Sequence, residues 1–137
     1  SIAVESMDAL DLIDYIQQTS NDSNTIFYFD PPYYLKGSFL YMNYYRKSDH
    51  NEVAQKIKQI NTINWVVSYD NHEVIKNIYY PFKPKEYSFN HSANKSKIGQ
   101  EVLFFSSNLL IPVGEDWNPT SFKLSRKPNT KKILYLE

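Results

Sequence analysis

Residues 25–34, TIFYFDPPYY, join an apolar run to the four residues of greatest chemical promise in the chain. The run Thr25–Phe29 reads as a strand covered on both faces rather than half in water. Asp30 follows it directly, and a carboxylate in that position is costly unless something uses it. Pro31 and Pro32 stiffen what comes next and fix the direction of the Pro31 carbonyl. A carboxylate and a rigidly aimed carbonyl make a pair of acceptors, and Tyr33 adds a flat aromatic face. Such a pair suits an exocyclic amino group on a nucleobase, a poor nucleophile because its lone pair is delocalised into the ring. Two acceptors aimed at its N–H bonds pull the nitrogen toward a tetrahedral geometry and localise that lone pair, which is preorganised stabilisation of developing charge. The tyrosine face would hold an extruded base by stacking. The aspartate does this work as an ordinary ionised acceptor. The same four residues also make a good turn, since Asp and Pro are turn formers and proline ends a strand. The tetrapeptide alone leaves both readings open.

Positioning these residues requires a sheet. SIAV at the start is a strand fragment, and MDALDLIDYI is a helix with Ala9, Leu12, Ile13 and Ile16 at helical spacing, for which Asp8 is a candidate cap. After the TIFYF strand, residues 34–48 have no clean period and are expected to be a tyrosine-rich loop with Gly37 as a flex point. DHNEVAQKIKQI is a helix with Asp49 and Glu52 as an expected capping box and Val53, Ile57 and Ile60 as its buried stripe. WVVSY is a second apolar strand. DNHEVIKNIYY is a short helix stopped by Pro81, with Asp70 and Asn71 as expected caps. KEYSFN and EVLFFSS are two further strands joined by a polar loop, and KKILYLE is a candidate last strand. This order predicts an α/β fold, mostly parallel, with a C-terminal antiparallel hairpin. Ligands in such sheets bind beyond the carboxyl ends of the strands, where Asp30 stands, with Asp8 and Asp70 as further candidates for such an end.

The 137 residues suffice for one domain with a real core. Basic and acidic residues balance at 15 each, so any grip on a polyanion must be local or come from another segment. Residues 1–30 hold six acids and no Lys or Arg, whereas residues 83–137 hold nine Lys/Arg and five acids. With no cysteine, disulfides and cysteine-ligated zinc are excluded, and a cytoplasmic setting is expected. No apolar run reaches membrane-spanning length and no signal peptide is visible, so no membrane partner is expected. His50, His72 and His91 are too dispersed to suggest a metal site, and His50 is expected at the surface. Lys36, Arg46 and Lys47 in the tyrosine-rich loop, and Lys95 and Lys97 in the hairpin loop, are candidate phosphate contacts or solvated side chains. Tyr34 is a candidate for the base pocket; Tyr41, Tyr44 and Tyr45 are expected to pack under the loop.

DPPY after an apolar strand resembles the signature of amino-group DNA methyltransferases, most closely the Dam-type adenine-specific class. The resemblance continues in order through DHNEVAQKI, WVVSYDNHEVIKNIY and SANKSKIGQEVLFFS, which are similar to the helix, the strand–helix pair and the final hairpin that follow the signature in that family. SIAVESMDALDLI is similar to the strand and helix before it, though most relatives carry an aromatic residue where Ala9 stands. The resemblance covers residues 1–108 and leaves 109–137 as a tail with a candidate extra strand. It implies a partial Rossmann-like S-adenosylmethionine-dependent methyltransferase sheet. The implied reaction is methyl transfer to the N6 amino group of adenine flipped out of double-stranded DNA, without a covalent enzyme intermediate. Carried over by residue, Asp30 and the Pro31 carbonyl hold the amino group, Pro32 shapes the turn and Tyr33 stacks on the base; Asp30 also borders the cofactor, and Asp8 reaches its adenine end.

The family places a Phe/Gly-rich cofactor loop and a target-recognition domain before the signature. Neither is present among these residues, whose three glycines are at 37, 99 and 114. The chain therefore resembles the C-terminal half of such an enzyme, with the N-terminal cofactor-binding and target-recognition segments as missing partners. Alone, it is expected to bind S-adenosylmethionine weakly and to methylate DNA negligibly. A non-catalytic remnant that keeps the sheet, or an adenine methyltransferase acting on RNA, are the alternatives; a Phe-x-Gly-x-Gly stretch upstream of Ser1 in the coding sequence would favour the enzyme.

Overall fold

The computed structural model describes residues 4, 6–19, 25–35, 45–90, 98–111 and 134–136. Helix α1 (Ala9–Thr19) precedes strand β1 (Ile26–Phe29). Helix α2 (Lys47–Lys58), strand β2 (Asn64–Asp70) and helix α3 (Glu73–Tyr79) follow. Strands β3 (Lys85–Asn90), β4 (Ile98–Phe105) and β5 (Leu134–Leu136) complete the order. The strands form one sheet in the order β3-β4-β2-β1-β5. The chain is thus α/β. Residues 1–3 of the expected SIAV strand and most of the tyrosine-rich loop lie outside the described residues.

The sheet is mixed rather than mostly parallel. β1 pairs parallel with β2 and with β5, while β4 runs antiparallel to both β2 and β3. The reason lies in the hairpin: its second strand, not its first, docks beside β2, so it contributes two antiparallel ladders instead of one. β1 has partners on both edges, with Phe27 opposite Trp65 on one side and Leu134 on the other.

Strand alternation sorts the sheet into two faces. Phe27, Phe29, Trp65, Val67, Tyr69, Val102 and Phe104 share one face and are buried in a single core. Against them pack Leu12, Ile13 and Ile16 of α1, Val53, Ala54 and Ile57 of α2, and Ile75 and Tyr79 of α3. The helices therefore cover one side, α2 between α1 and α3. Lys56 of α2 also pairs with Asp14 of α1 at 2.6 Å, a half-exposed contact worth little beside the apolar burial. The opposite face carries Val66, Ser68, Asp70, Glu101, Leu103 and Tyr87, matched across β2, β4 and β3.

The start of α2 differs from the expected capping box. Arg46 is the N-cap, and Asp49 sits at the third helical position, where its Oδ2 accepts the Arg46 N–H at 2.7 Å. This is the return half of a capping box. That hydrogen bond first, and the Ser48 hydroxyl second, hold the Asp49 carboxyl below its usual range. His50 lies on the same face as Val53, Ala54 and Ile57, three, four and seven residues on. His50 is accordingly buried, 2 % exposed, rather than at the surface, and its Nδ1 is 3.0 Å from the Tyr69 hydroxyl.

Burial pushes the His50 imidazole below its ordinary pKa, against the opposing pull of the Asp70 and Asp49 charges. An unfolded histidine titrates near about 6.5. The stability that neutral His50 contributes is therefore present above that value and is lost as pH falls through it toward the folded pKa. Melting temperatures between about pH 7.5 and about pH 5 are expected to fall further in the native chain than in His50→Gln, which cannot titrate. Equal falls would remove His50 from this role.

Candidate functional site

The carboxyl ends of β1 and β2 lie side by side, with Phe29 opposite Val67. Asp30 leaves β1 exposed at that rim, and Pro31, Pro32 and Tyr33 follow half-buried. The two prolines carry no N–H, so they make no claim on the sheet ladder and let the chain turn away. A turn at Tyr34–Leu35 then passes over the end of β2. There the Asp70 carboxylate accepts both backbone N–H groups, Tyr34 at 2.8 Å through Oδ1 and Leu35 at 3.0 Å through Oδ2. Asp70 is thus not a cap of α3. That helix is capped by His72, whose Nδ1 accepts the Val74 N–H at 3.1 Å, while Asn71 donates to Glu86 at 2.9 Å.

Charge-assisted bonds of this kind contribute about 1.5–3 kcal/mol. Asp70→Ala is expected to lower unfolding free energy by about that amount and to speed hydrogen exchange selectively at the Tyr34 and Leu35 amides. Unchanged exchange at both amides would show that the turn holds itself.

The Tyr33 side chain reaches further across the rim. Its hydroxyl donates to Glu101 Oε1 in the middle of β4, and the Tyr87 hydroxyl of β3 donates to Glu101 Oε2. Register explains the meeting: Glu101 is directly opposite Asp70 on one side and Tyr87 on the other, so all three point to the same face. Burial first, and Glu101 second, push the Tyr33 phenol well above its ordinary pKa, and the Asp30 charge adds to this. Tyr87 is raised by the same two causes in the same order. Both phenols stay protonated donors at any physiological pH.

Of the residues singled out above, Asp30, Pro31, Pro32, Tyr33 and Tyr34 are contiguous at this rim. Tyr34 packs its ring between His72 and His50, with centroids 4.7 and 5.4 Å apart, and leans on the core. Tyr45 meets His50 edge-on at 5.3 Å. Asp8 caps α1, its Oδ1 accepting the Leu10 N–H at 2.9 Å, and its charge reaches the Tyr45 phenol. Arg46 is exposed at the N-terminus of α2, and Lys47 is the first residue of that helix rather than part of a loop. Lys36, Lys95 and Lys97 lie outside the described residues. Among the described residues, no three His, Asp or Glu side chains are grouped as metal ligands, and no helix is long and apolar enough to cross a membrane.

Three contributors were not foreseen: the Asp70 clamp, Glu101 and Tyr87. The rule that carboxyl ends of strands hold ligands pointed at Asp70. Glu101 and Tyr87 became visible only with the β2–β4–β3 register. Compared with known proteins, the chain matches no family model and no curated sequence.

Proposed function

We propose that this chain is the catalytic part of an S-adenosylmethionine-dependent methyltransferase that modifies the N6 amino group of adenine in double-stranded DNA, built on part of a Rossmann-like sheet. The observation that carries the reading is the rim of β1. Asp30 is exposed there, followed by a proline pair and a tyrosine whose turn and hydroxyl are held by neighbouring strands. That is a carboxylate presented to a ligand on a rigid support, at the end of the sheet where open α/β folds bind ligands.

The cofactor, when bound, supplies an electrophilic methyl group on a sulfonium. Asp30, an exposed carboxylate at the strand end, would border it, and Asp8, whose Oδ1 accepts the Leu10 N–H, would face its adenine end. The Asp30 carboxylate and the Pro31 carbonyl accept the two N–H bonds of the target amine. This concentrates the nitrogen lone pair for attack and leaves Asp30 next to the proton that the amine sheds. Tyr33 offers its ring to the flipped base, and its tied hydroxyl keeps it out of proton transfer. Segments carrying the cofactor loop and the sequence-reading domain complete the enzyme.

The test uses the product of the complete reading frame, duplex DNA and methyl-labelled S-adenosylmethionine, with nucleosides separated after digestion. Label in N6-methyladenine is expected. Label only in cytosine, only in protein, or nowhere would overturn the proposal; label in RNA alone would move the substrate class.

A further inference from the structure

We propose that Glu101, braced by Tyr87, is a positioning residue that locks the plane of the Tyr33 ring as a preformed stacking platform. The inference rests on the reading of Tyr33 as the residue that receives the base.

A tyrosine on a turn turns about two side-chain bonds and, left alone, samples several rotamers. Tyr33 is denied that freedom at both ends. Its backbone is pinned on the C-terminal side, where Asp70 holds the Tyr34 and Leu35 N–H groups. Its tip is pinned by Glu101 Oε1. Glu101 is itself braced, because its second oxygen accepts the Tyr87 hydroxyl. The three side chains come from the turn, β4 and β3, and the β3–β4 and β2–β4 registers set Glu101 between Tyr87 and Asp70 on one face.

This arrangement assigns different jobs to the two ends of Tyr33. The hydroxyl is spent on Glu101, and what remains for a ligand is the face of the ring. A ring already held in its working plane loses little further freedom when a base lands on it. Glu101 thus acts through Tyr33 and touches no reacting atom. Its loss should leave the amine acceptors Asp30 and Pro31 in place while blurring where the base rests. Misplacement on the scale of an ångström can cost about 10²-fold in rate.

The test has two arms on the complete reading-frame product. In the first, 3-fluorotyrosine at position 33 is followed by ¹⁹F NMR in the native protein and in Glu101→Gln, Glu101→Ala and Tyr87→Phe. The native resonance is expected as one sharp line that shifts and broadens in the Glu101 variants, with a smaller change in Tyr87→Phe. In the second arm, methyl transfer is measured in Glu101→Gln, Tyr33→Phe and the double variant. Each single change is expected to lower kcat about 10- to 100-fold with DNA affinity little altered, and the double variant to be no worse than the poorer single one. A Tyr33 resonance unmoved by the Glu101 changes, or losses that multiply in the double variant, would overturn the tether. Should Glu101→Ala fail to fold, Glu101→Gln and Tyr87→Phe carry the same decision. A native protein that methylates no adenine overturns the functional reading itself, and the platform role with it; the ¹⁹F arm then still reports whether the tether exists, so the two failures are told apart.

Discussion

Replacing Asp30 by alanine is expected to reduce methyl transfer by about 10²–10³-fold, the usual consequence of deleting one preorganised acceptor or donor aimed at developing charge. Duplex affinity should change little, because Asp30 is one anionic side chain at the rim and supplies no phosphate contact. The loss should appear in kcat and in kcat/KM alike, the mark of an interaction made in the transition state. Asp30→Asn should be nearly as damaging. An amide keeps one carbonyl oxygen that can accept an N–H bond, but it loses the negative charge that favours the developing positive nitrogen and its departing proton. Near-native rates in either variant would remove Asp30 from its assigned role.

The largest loss of stability is expected at Trp65. Its side chain is 1 % exposed, its indole N–H donates to the Ile60 carbonyl at 3.4 Å, and its ring meets Phe82 edge-on at 4.9 Å. Its backbone is fixed from the other side. The Trp65 N–H donates to Ser106 Oγ at 3.2 Å, and the Ser106 N–H donates to the Trp65 carbonyl at 2.9 Å. With the strand so anchored, the surroundings cannot collapse into the space that Trp65→Ala leaves. The cost should be about 3–5 kcal/mol, at the level of other buried aromatic truncations, read as a lowered midpoint in urea. A loss under about 1 kcal/mol would mean that this end of the core repacks freely. Because Asp70 ends the same strand, partial loosening of β2 should also weaken its hold on the Tyr34–Leu35 turn.

Local pattern made much of the fold legible. Leu12, Ile13 and Ile16 announced α1 by spacing, the TIFYF and WVVSY runs announced two buried strands, and Asp30 was placed at a strand end by the prolines behind it. Four features escaped for identifiable reasons. The α2 start moved because Asp49 serves equally well at the cap or three residues inside it, and His50 belongs to the buried stripe by its spacing to Val53, Ala54 and Ile57. Asp70 looked like a helix cap because local sequence cannot tell a partner two residues on from one thirty-five residues back. The sheet turned out mixed because which hairpin strand docks on β2 depends on packing between distant segments. Glu101 lay in the SANKSKIGQEVLFFS stretch with no role attached to it, and Tyr87 carried no motif; a glutamate in one strand and a tyrosine in another gain meaning only when register sets them face to face. The geometry of the candidate site was thus legible where one continuous stretch builds it and hidden where three strands converge.

The most direct measurement is a structure of the complete reading-frame product bound to adenine-containing duplex DNA, with an unreactive S-adenosylmethionine analogue. The N6 atom of the flipped base is predicted to lie about 2.7–3.2 Å from both an Asp30 carboxylate oxygen and the Pro31 carbonyl oxygen, with the base ring over Tyr33. An amino group held elsewhere, with Asp30 turned away from it or engaged with a cationic side chain, would contradict the proposed chemistry.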